Sequence, residues 1–224
     1  KIVIGIAVTI FGIFFLLFLI GLFVGEDDAY TYDAIPDEYQ EKLKKDPNNV
    51  EALAQIGNSY LEDFQYDSAL AYYNRALAIN ATNSAVLYNV GLVHYNTQQY
   101  DESIVALKKC LEAEPNYANA FLIMGHNYYD RQRYDEAFTW YTKAYDAGIE
   151  NAFLSHVLAY LYDNKGNTSR AITLYREALK LDSSRTEIYS RLAEIDPGNA
   201  TLYKRLEQQS AQWVGLIAVC KNIL

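Results

Sequence analysis

Few residues in this chain are able to do covalent or metal chemistry. Histidine occurs at His94, His126 and His156 and cysteine at Cys110 and Cys220, with no HExxH helix or CxxC turn among them. No GxSxG elbow presents a serine nucleophile, and no glycine-rich loop could cradle phosphate. Carboxylates are scattered at turns and helix ends, where they solvate and cap. The sequence therefore predicts no catalytic residue, no metal site, no cofactor and no small-molecule substrate. His94 falls on a helix-packing position and is expected in a core. Cys110 takes a small buried position, where a thiol acts as a minor apolar group. A bridge to Cys220 would need an oxidising compartment and a carboxy-terminal segment folded back onto it. What remains is the surplus of aromatic side chains: 21 of the 224 residues are Tyr, each with a stacking face and a hydroxyl.

Those side chains need a scaffold, and composition bounds it. A net charge of −9 argues against a nucleic-acid partner. Four Pro and eleven Gly are too few for a disordered or collagen-like chain.

The amino-terminal stretch Ile2 to Gly25 runs 24 residues without a charge. A helix of that length spans about 36 Å, enough to cross a hydrocarbon core of roughly 30 Å with some tilt. The apolar run is too long for a signal peptide and lacks a small-x-small cleavage site, so residues 1–25 are expected to be a retained transmembrane anchor in contact with lipid. Because the chain opens on Lys1 and not Met, an upstream flank is expected. Gly5, Thr9 and Gly12 share one face of this helix, and Gly21 and Gly25 form a GxxxG near the opposite one. Small residues let helix backbones approach closely in lipid, and the Gly5–Gly12 face predicts packing inside a membrane complex. Residues 26–35 form a short acidic linker, which at full extension reaches at most about 36 Å. Lys42, Lys44 and Lys45 argue for a cytoplasmic carboxy-terminal side. The acidic exit and the usual orientation of such anchors argue for the opposite side, the periplasmic face of a bacterial inner membrane, which is the expectation taken here.

Beyond the linker the chain repeats itself. Gly57, Gly91 and Gly125 stand 34 residues apart, as do Ala69, Ser103, Ala137 and Ala171, and Ala76, Cys110, Ala144 and Ala178. Large residues keep the same period at Tyr73, Leu107, Tyr141 and Tyr175. Small residues recur where two helices must approach, and large ones where a gap must be filled. "LAQIGNSYLEDFQYDSALAYYNRALAINA", "LYNVGLVHYNTQQYDESIVALKKCLEAEP" and "FLIMGHNYYDRQRYDEAFTWYTKAYDAGI" align without a gap. A looser fourth copy, "SHVLAYLYDNKGNTSRAITLYREALKLDS", has Ser155 at a large-residue position and Ala159 in place of the glycine. This arrangement resembles the tetratricopeptide repeat.

The resemblance implies an all-α chain in which helix pairs stack into a right-handed solenoid and share their stability between neighbours. It sets four repeats at 50–83, 84–117, 118–151 and 152–185, an amino-terminal capping helix at 36–49, and carboxy-terminal helices at 184–224. Tyr134 is expected to plug the turn between paired helices, Asp135 to accept from the free N–H groups of the second helix, and Pro115 to end the second unit. The last segment is apolar around Trp213, Leu216 and Ile217. It either folds back as a cap or offers these residues as a docking surface for a partner or the membrane.

In proteins of this kind the first helix of each repeat lines a concave groove that holds a peptide. Carrying that pattern across gives Asn58 and Leu61, then Tyr88, Leu92 and Tyr95, then Asn119, Leu122, His126 and Tyr129, and finally Phe153, His156 and Tyr160. His126 and His156 are near enough in register for a pH-sensitive or metal-binding pair to be conceivable. Co-chaperone members of the family clamp a carboxylate with Lys, Arg and Asn. Here Ala54, Asn119 and Ile123 fill the basic positions and only Asn58 and Asn89 match, so that clamp is absent. The expectation is a non-enzymatic, membrane-anchored scaffold serving as accessory subunit of an integral membrane complex. The alternative is a membrane-tethered periplasmic chaperone that holds exported clients.

Overall fold

The chain is seen in a computed structural model that describes residues 36–221, with side chains to residue 210. The expected anchor with Gly5, Thr9 and Gly12, and the acidic linker, lie outside the described residues. Trp213, Leu216 and Ile217 fall within the last helix but beyond the described side chains.

Eleven α-helices make up the regular structure of the described residues, with one short 3-10 turn. They are α1 (Asp37–Lys45), α2 (Val50–Glu62), α3 (Tyr66–Ile79), α4 (Ser84–Asn96), α5 (Tyr100–Ala113) and α6 (Ala118–Asp130). Then follow α7 (Tyr134–Asp146), α8 (Ala152–Asn164), α9 (Thr168–Leu181), α10 (Thr186–Ile195), the turn Pro197–Asn199 and α11 (Ala200–Lys221). No helix among the described residues is long and apolar enough to cross a membrane.

Local chemistry sets the helix starts. Asn49 Oδ1 accepts from the Ala52 amide (2.9 Å) and Asn83 Oδ1 from that of Val86 (3.1 Å). Asn151 serves two amides of α8 in the same way, and each satisfies a donor that the first turn leaves free. Tyr117 opens α6 without a side-chain cap and stacks on Tyr88 instead. The second helices begin after a tight turn whose middle residue takes a left-handed backbone: Phe64, Gln98 and Gln132 at φ 58–60°, and Gly166 at φ 78°. Glu114 and Pro115 end α5 as expected.

Helices α2–α3, α4–α5, α6–α7 and α8–α9 form antiparallel hairpins, and each hairpin packs on the next. Inside a hairpin, the small and large series meet. A Cβ on Gly57 would lie 2.5 Å from the Tyr73 ring, and one on Gly91 2.7 Å from Leu107 Cγ. A Cβ on Gly125 would clash with the edge of the Tyr141 ring. Three apolar clusters run along the stack, centred on Leu53 and Tyr73, on Leu107 and Met124, and on Tyr141, Leu158 and Leu174.

One polar contact joins the second hairpin to the third inside this core. Asn127 Nδ2 donates to Ser103 Oγ (2.9 Å), whose own hydroxyl donates to the Gly91 carbonyl (2.8 Å). At the carboxy-terminal end, α11 folds back on α10. Tyr203 is buried against Ile188 and Leu192 and donates to Asp196 Oδ2 (2.6 Å). The first half of the segment is therefore a cap.

Two local expectations need correction. Tyr134 does not plug its turn; it is 43% exposed and lies edge-on to Tyr129. Asp135 does not cap α7, which has no side-chain cap, and instead pairs with Lys165 of the next hairpin. The same offset recurs one repeat earlier, where Asp101 pairs with Arg131 (2.6 Å).

Candidate functional site

Successive first helices touch one another, α2 with α4 and α4 with α6, and no two second helices do so to the same extent. The first helices therefore lie on the inner side of the curved stack, where their outward-facing side chains form a groove.

The groove has a buried back row and a partly exposed front row. The back row is Tyr73, Leu107, Tyr141 and Tyr175, reaching from the second helices beneath the first. A polar residue stands in front wherever the back residue carries a hydroxyl with a partner. Tyr73 donates to Asn58 Oδ1 (2.8 Å), which also accepts from Asn89 Nδ2 (2.8 Å). Tyr141 shares a hydrogen bond of 2.7 Å with His126 Nδ1. Leu107 has no hydroxyl, and the residue before it is Leu92, packed into the same apolar cluster.

The front row is an aromatic chain across three repeats. Tyr95 of α4 stacks on His126 of α6 with centroids 5.8 Å apart, and Phe153 of α8 meets His126 edge-on at 5.3 Å. Tyr129 stands beside them against Tyr134 and Tyr141. Phe153 and Tyr160 are 37% and 42% exposed, so the row opens toward solvent at the fourth repeat. The Tyr95 hydroxyl donates to Asp130 Oδ2 (2.8 Å) and ties α4 to α6.

Burial pushes the His126 pKa below the ordinary imidazole value, and the Asp130 carboxylate only partly opposes this. The neutral ring that results keeps its Nδ1 hydrogen bond with the Tyr141 hydroxyl. His156 is also pushed down by burial, with Glu187 opposing and Arg185 adding to the shift. The Tyr95 hydroxyl is held well above the usual tyrosine range, by burial first and then by its bond to Asp130.

The twelve residues predicted for the groove divide three ways. Tyr95, His126, Tyr129 and Phe153 come together in the front row, and Tyr160 extends it. Tyr88 turns to Tyr117, and Leu61, Leu92 and Leu122 seat against the clusters between repeats. Asn58 faces Tyr73, Asn119 is exposed, and His156 lies against Tyr175 at the end of the row. His126 and His156 bond to different groups, the first to Tyr141 and the second near Arg185 and Glu187. No group of three or more metal-ligating side chains exists among the described residues. His94 is at a helix end and not in the core, half-buried, with Nδ1 2.6 Å from Gln99 Oε1. Cys110 is fully buried, and burial pushes its thiol up to about 11. Asp130 and Tyr117 escaped the sequence reading. Asp130 could have been found from its register with Glu62 and Asn96, one residue past Leu61, Tyr95 and Tyr129.

Residues 62–144 match the family model described as anaphase-promoting complex, cyclosome, subunit 3, and residues 154–185 match a tetratricopeptide-repeat model. Among curated protein sequences none matches significantly. PilF of Pseudomonas aeruginosa superposes with a TM-score of 0.66 at 21% identity, over 78% of this chain and 86% of that one. YrrB, described as a TPR protein with an unusual peptide-binding site, gives 0.65 at 14% identity over 83% and 98% of the two chains. MamA of Desulfovibrio magneticus gives 0.60 at 17% identity over 73% and 93%. At these identities the likeness is one of fold. Period, hairpin packing and both family matches agree that this chain is a tetratricopeptide-repeat protein, of a kind whose domains bind protein partners or peptides.

Proposed function

We propose that the chain is a non-enzymatic, membrane-tethered scaffold whose groove holds an extended segment of a protein partner, and that it serves as an accessory subunit of a membrane complex. The observation that carries this reading is the aromatic row Tyr95–His126–Phe153, continuous over three repeats and open to solvent at its far end. Aromatic rings give large contact area at low entropy cost, and their hydroxyls adapt to a peptide backbone. The uncharged stretch Ile2 to Gly25 and the ten residues after it would hold the groove close to a bilayer, on the periplasmic side by the reading above. Within that complex the Gly5, Thr9 and Gly12 face would pack against another membrane helix. Trp213, Leu216 and Ile217 would offer a second contact at the other end of the chain.

Isolation of the full-length protein from native membranes in mild detergent, with cross-linking and mass spectrometry, tests this. One stoichiometric assembly, lost in the Tyr129→Ala, Tyr160→Ala double variant, is the expected result. Many substoichiometric exported proteins would instead make the chain a tethered chaperone. Unchanged recovery of the assembly with the double variant would remove the groove from the account.

A further inference from the structure

Resting on that reading of the groove, we propose that its occupant is a cationic segment, with an arginine laid on the aromatic row and paired to Asp130. The first observation is charge. The four first helices carry Glu51, Glu62, Asp130 and Asp163 and no Lys or Arg. Glu51 lies within reach of Lys42 (3.6 Å) and Asp163 is taken by Arg191 (2.6 Å). Asp130 is exposed, accepts from Tyr95 through one oxygen and keeps the other unoccupied, and Glu62 is exposed beside the first repeat. The two groove histidines add no positive charge near neutral pH, because burial pushes both below the ordinary value.

The second observation is how this chain treats its other aromatic rings. Among the described residues, Lys or Arg lies over eight rings: Tyr39, Tyr72, Phe121, Tyr128, Phe138, Trp140, Tyr145 and Tyr203. None of these is in the front row. Tyr95, Tyr129, Phe153 and Tyr160 carry no such cation, and Asp130 stands beside Tyr95 and Tyr129. A guanidinium fits that arrangement because it is flat enough to stack and forked enough to pair with a carboxylate at once. An ammonium satisfies only the charge. The missing carboxylate clamp agrees with this polarity: the four first helices offer no Lys or Arg to a peptide's terminal carboxylate, and the nearby Arg185 and Arg191 are engaged with Asp182 and Asp163.

The test uses the full-length protein in detergent micelles and short amidated peptides that alternate Gly with Arg, Lys or Glu, read by fluorescence anisotropy. The Arg peptide is expected to bind at least several-fold more tightly than the Lys peptide, and the Glu peptide not at all. Asp130→Asn and Tyr129→Ala should each weaken Arg binding by about tenfold, the size of one partly desolvated cation–aromatic or charged contact. Equal binding of Arg and Lys peptides that vanishes with salt and survives both substitutions would overturn the proposal, leaving only the diffuse attraction of an acidic chain. A photo-crosslinking residue at position 160, used in native membranes, separates the two readings. Cross-links to a partner segment without Arg would keep the groove and sink its cationic occupant. Cross-links absent from position 160 but present elsewhere on the chain would sink both.

Discussion

Phe64 shows how much a single residue is made to bear by the turn it occupies. Its φ of 58° lies in the left-handed region, and its ring is 75% exposed with only an edge contact to Tyr66 at 6.3 Å. A Cβ in that region costs about 1–2 kcal/mol, and the fourth repeat avoids the cost with Gly166. Phe64→Gly should therefore raise the stability of the described domain by about 0.5–1 kcal/mol, after Gly's own entropy is charged against it. Phe64→Ala should not, because it removes the ring and keeps the Cβ. Urea midpoints of the three proteins check this, and a Gly variant no more stable than Ala would mean the turn is unstrained. The opposite holds at Gly125. Its helix would ordinarily gain about 1 kcal/mol from Ala, but the added Cβ clashes with the Tyr141 ring. The fourth repeat tolerates Ala159 above Tyr175, whose hydroxyl makes no hydrogen bond within the described residues. Tyr141 is pinned by His126 and cannot move aside as freely. Gly125→Ala should lower stability by about 1–2 kcal/mol, and a variant as stable as wild type would show the back row to be looser than drawn.

Pairs of elements decide what was legible in the sequence and what was not. The hairpins could be read because they rest on small and large residues at a fixed period, and that period survives in a single chain: Gly57 against Tyr73 and Gly125 against Tyr141 were visible as spacings before any contact was known. The front row was legible through its resemblance to a known repeat, which gave positions but not neighbours. Contacts between hairpins were hidden, since they join residues about thirty positions apart whose types vary from copy to copy. Asp135 looked like a cap because of its place in α7, whereas its partner Lys165 belongs to the next turn. Asp163 pairs in the same manner with Arg191 (2.6 Å) and Asp101 with Arg131 (2.6 Å), but their burial differs sharply. The Asp163 side chain is 7% exposed and that of Asp101 81%. Removing Arg191 strands a nearly buried carboxylate, and Arg191→Ala should cost about 1–3 kcal/mol. Arg131→Ala leaves its partner in water and should cost under about 1 kcal/mol. Thermal or urea unfolding of both variants measures the difference, and equal losses would contradict the burial argument.

At the scale of the whole molecule, the stack is a line of hairpins in which each buries its face only against its neighbours, so a titration inside the groove reaches the stability of the entire array. His126 is the group best placed to do this. It is packed by Tyr95 from α4, Tyr141 from α7 and Phe153 from α8, and the Asp130 carboxylate on its own helix partly opposes the effect of burial. His156 lies under the same influence of burial, between Tyr175, Arg185 and Glu187. Both have native pKa values below the ordinary imidazole value of about 6.5. As pH falls below that ordinary value, the unfolded chain takes up these protons before the folded one does. Unfolding is thereby favoured, and stability that is complete above the ordinary value declines as pH drops through the interval down to the native pKa values. Keeping the measurement above about pH 5 avoids most carboxylate titration. Over that range the urea midpoint of the full-length protein should fall with pH, and His126→Gln combined with His156→Gln should flatten the decline. Protonation would also place positive charge beneath Tyr95 and Phe153, so the Arg peptide should dissociate over the same interval in wild type and not in the double variant. A pH-independent midpoint, or an equal slope in the variant, would remove the histidines from the energetics of the groove.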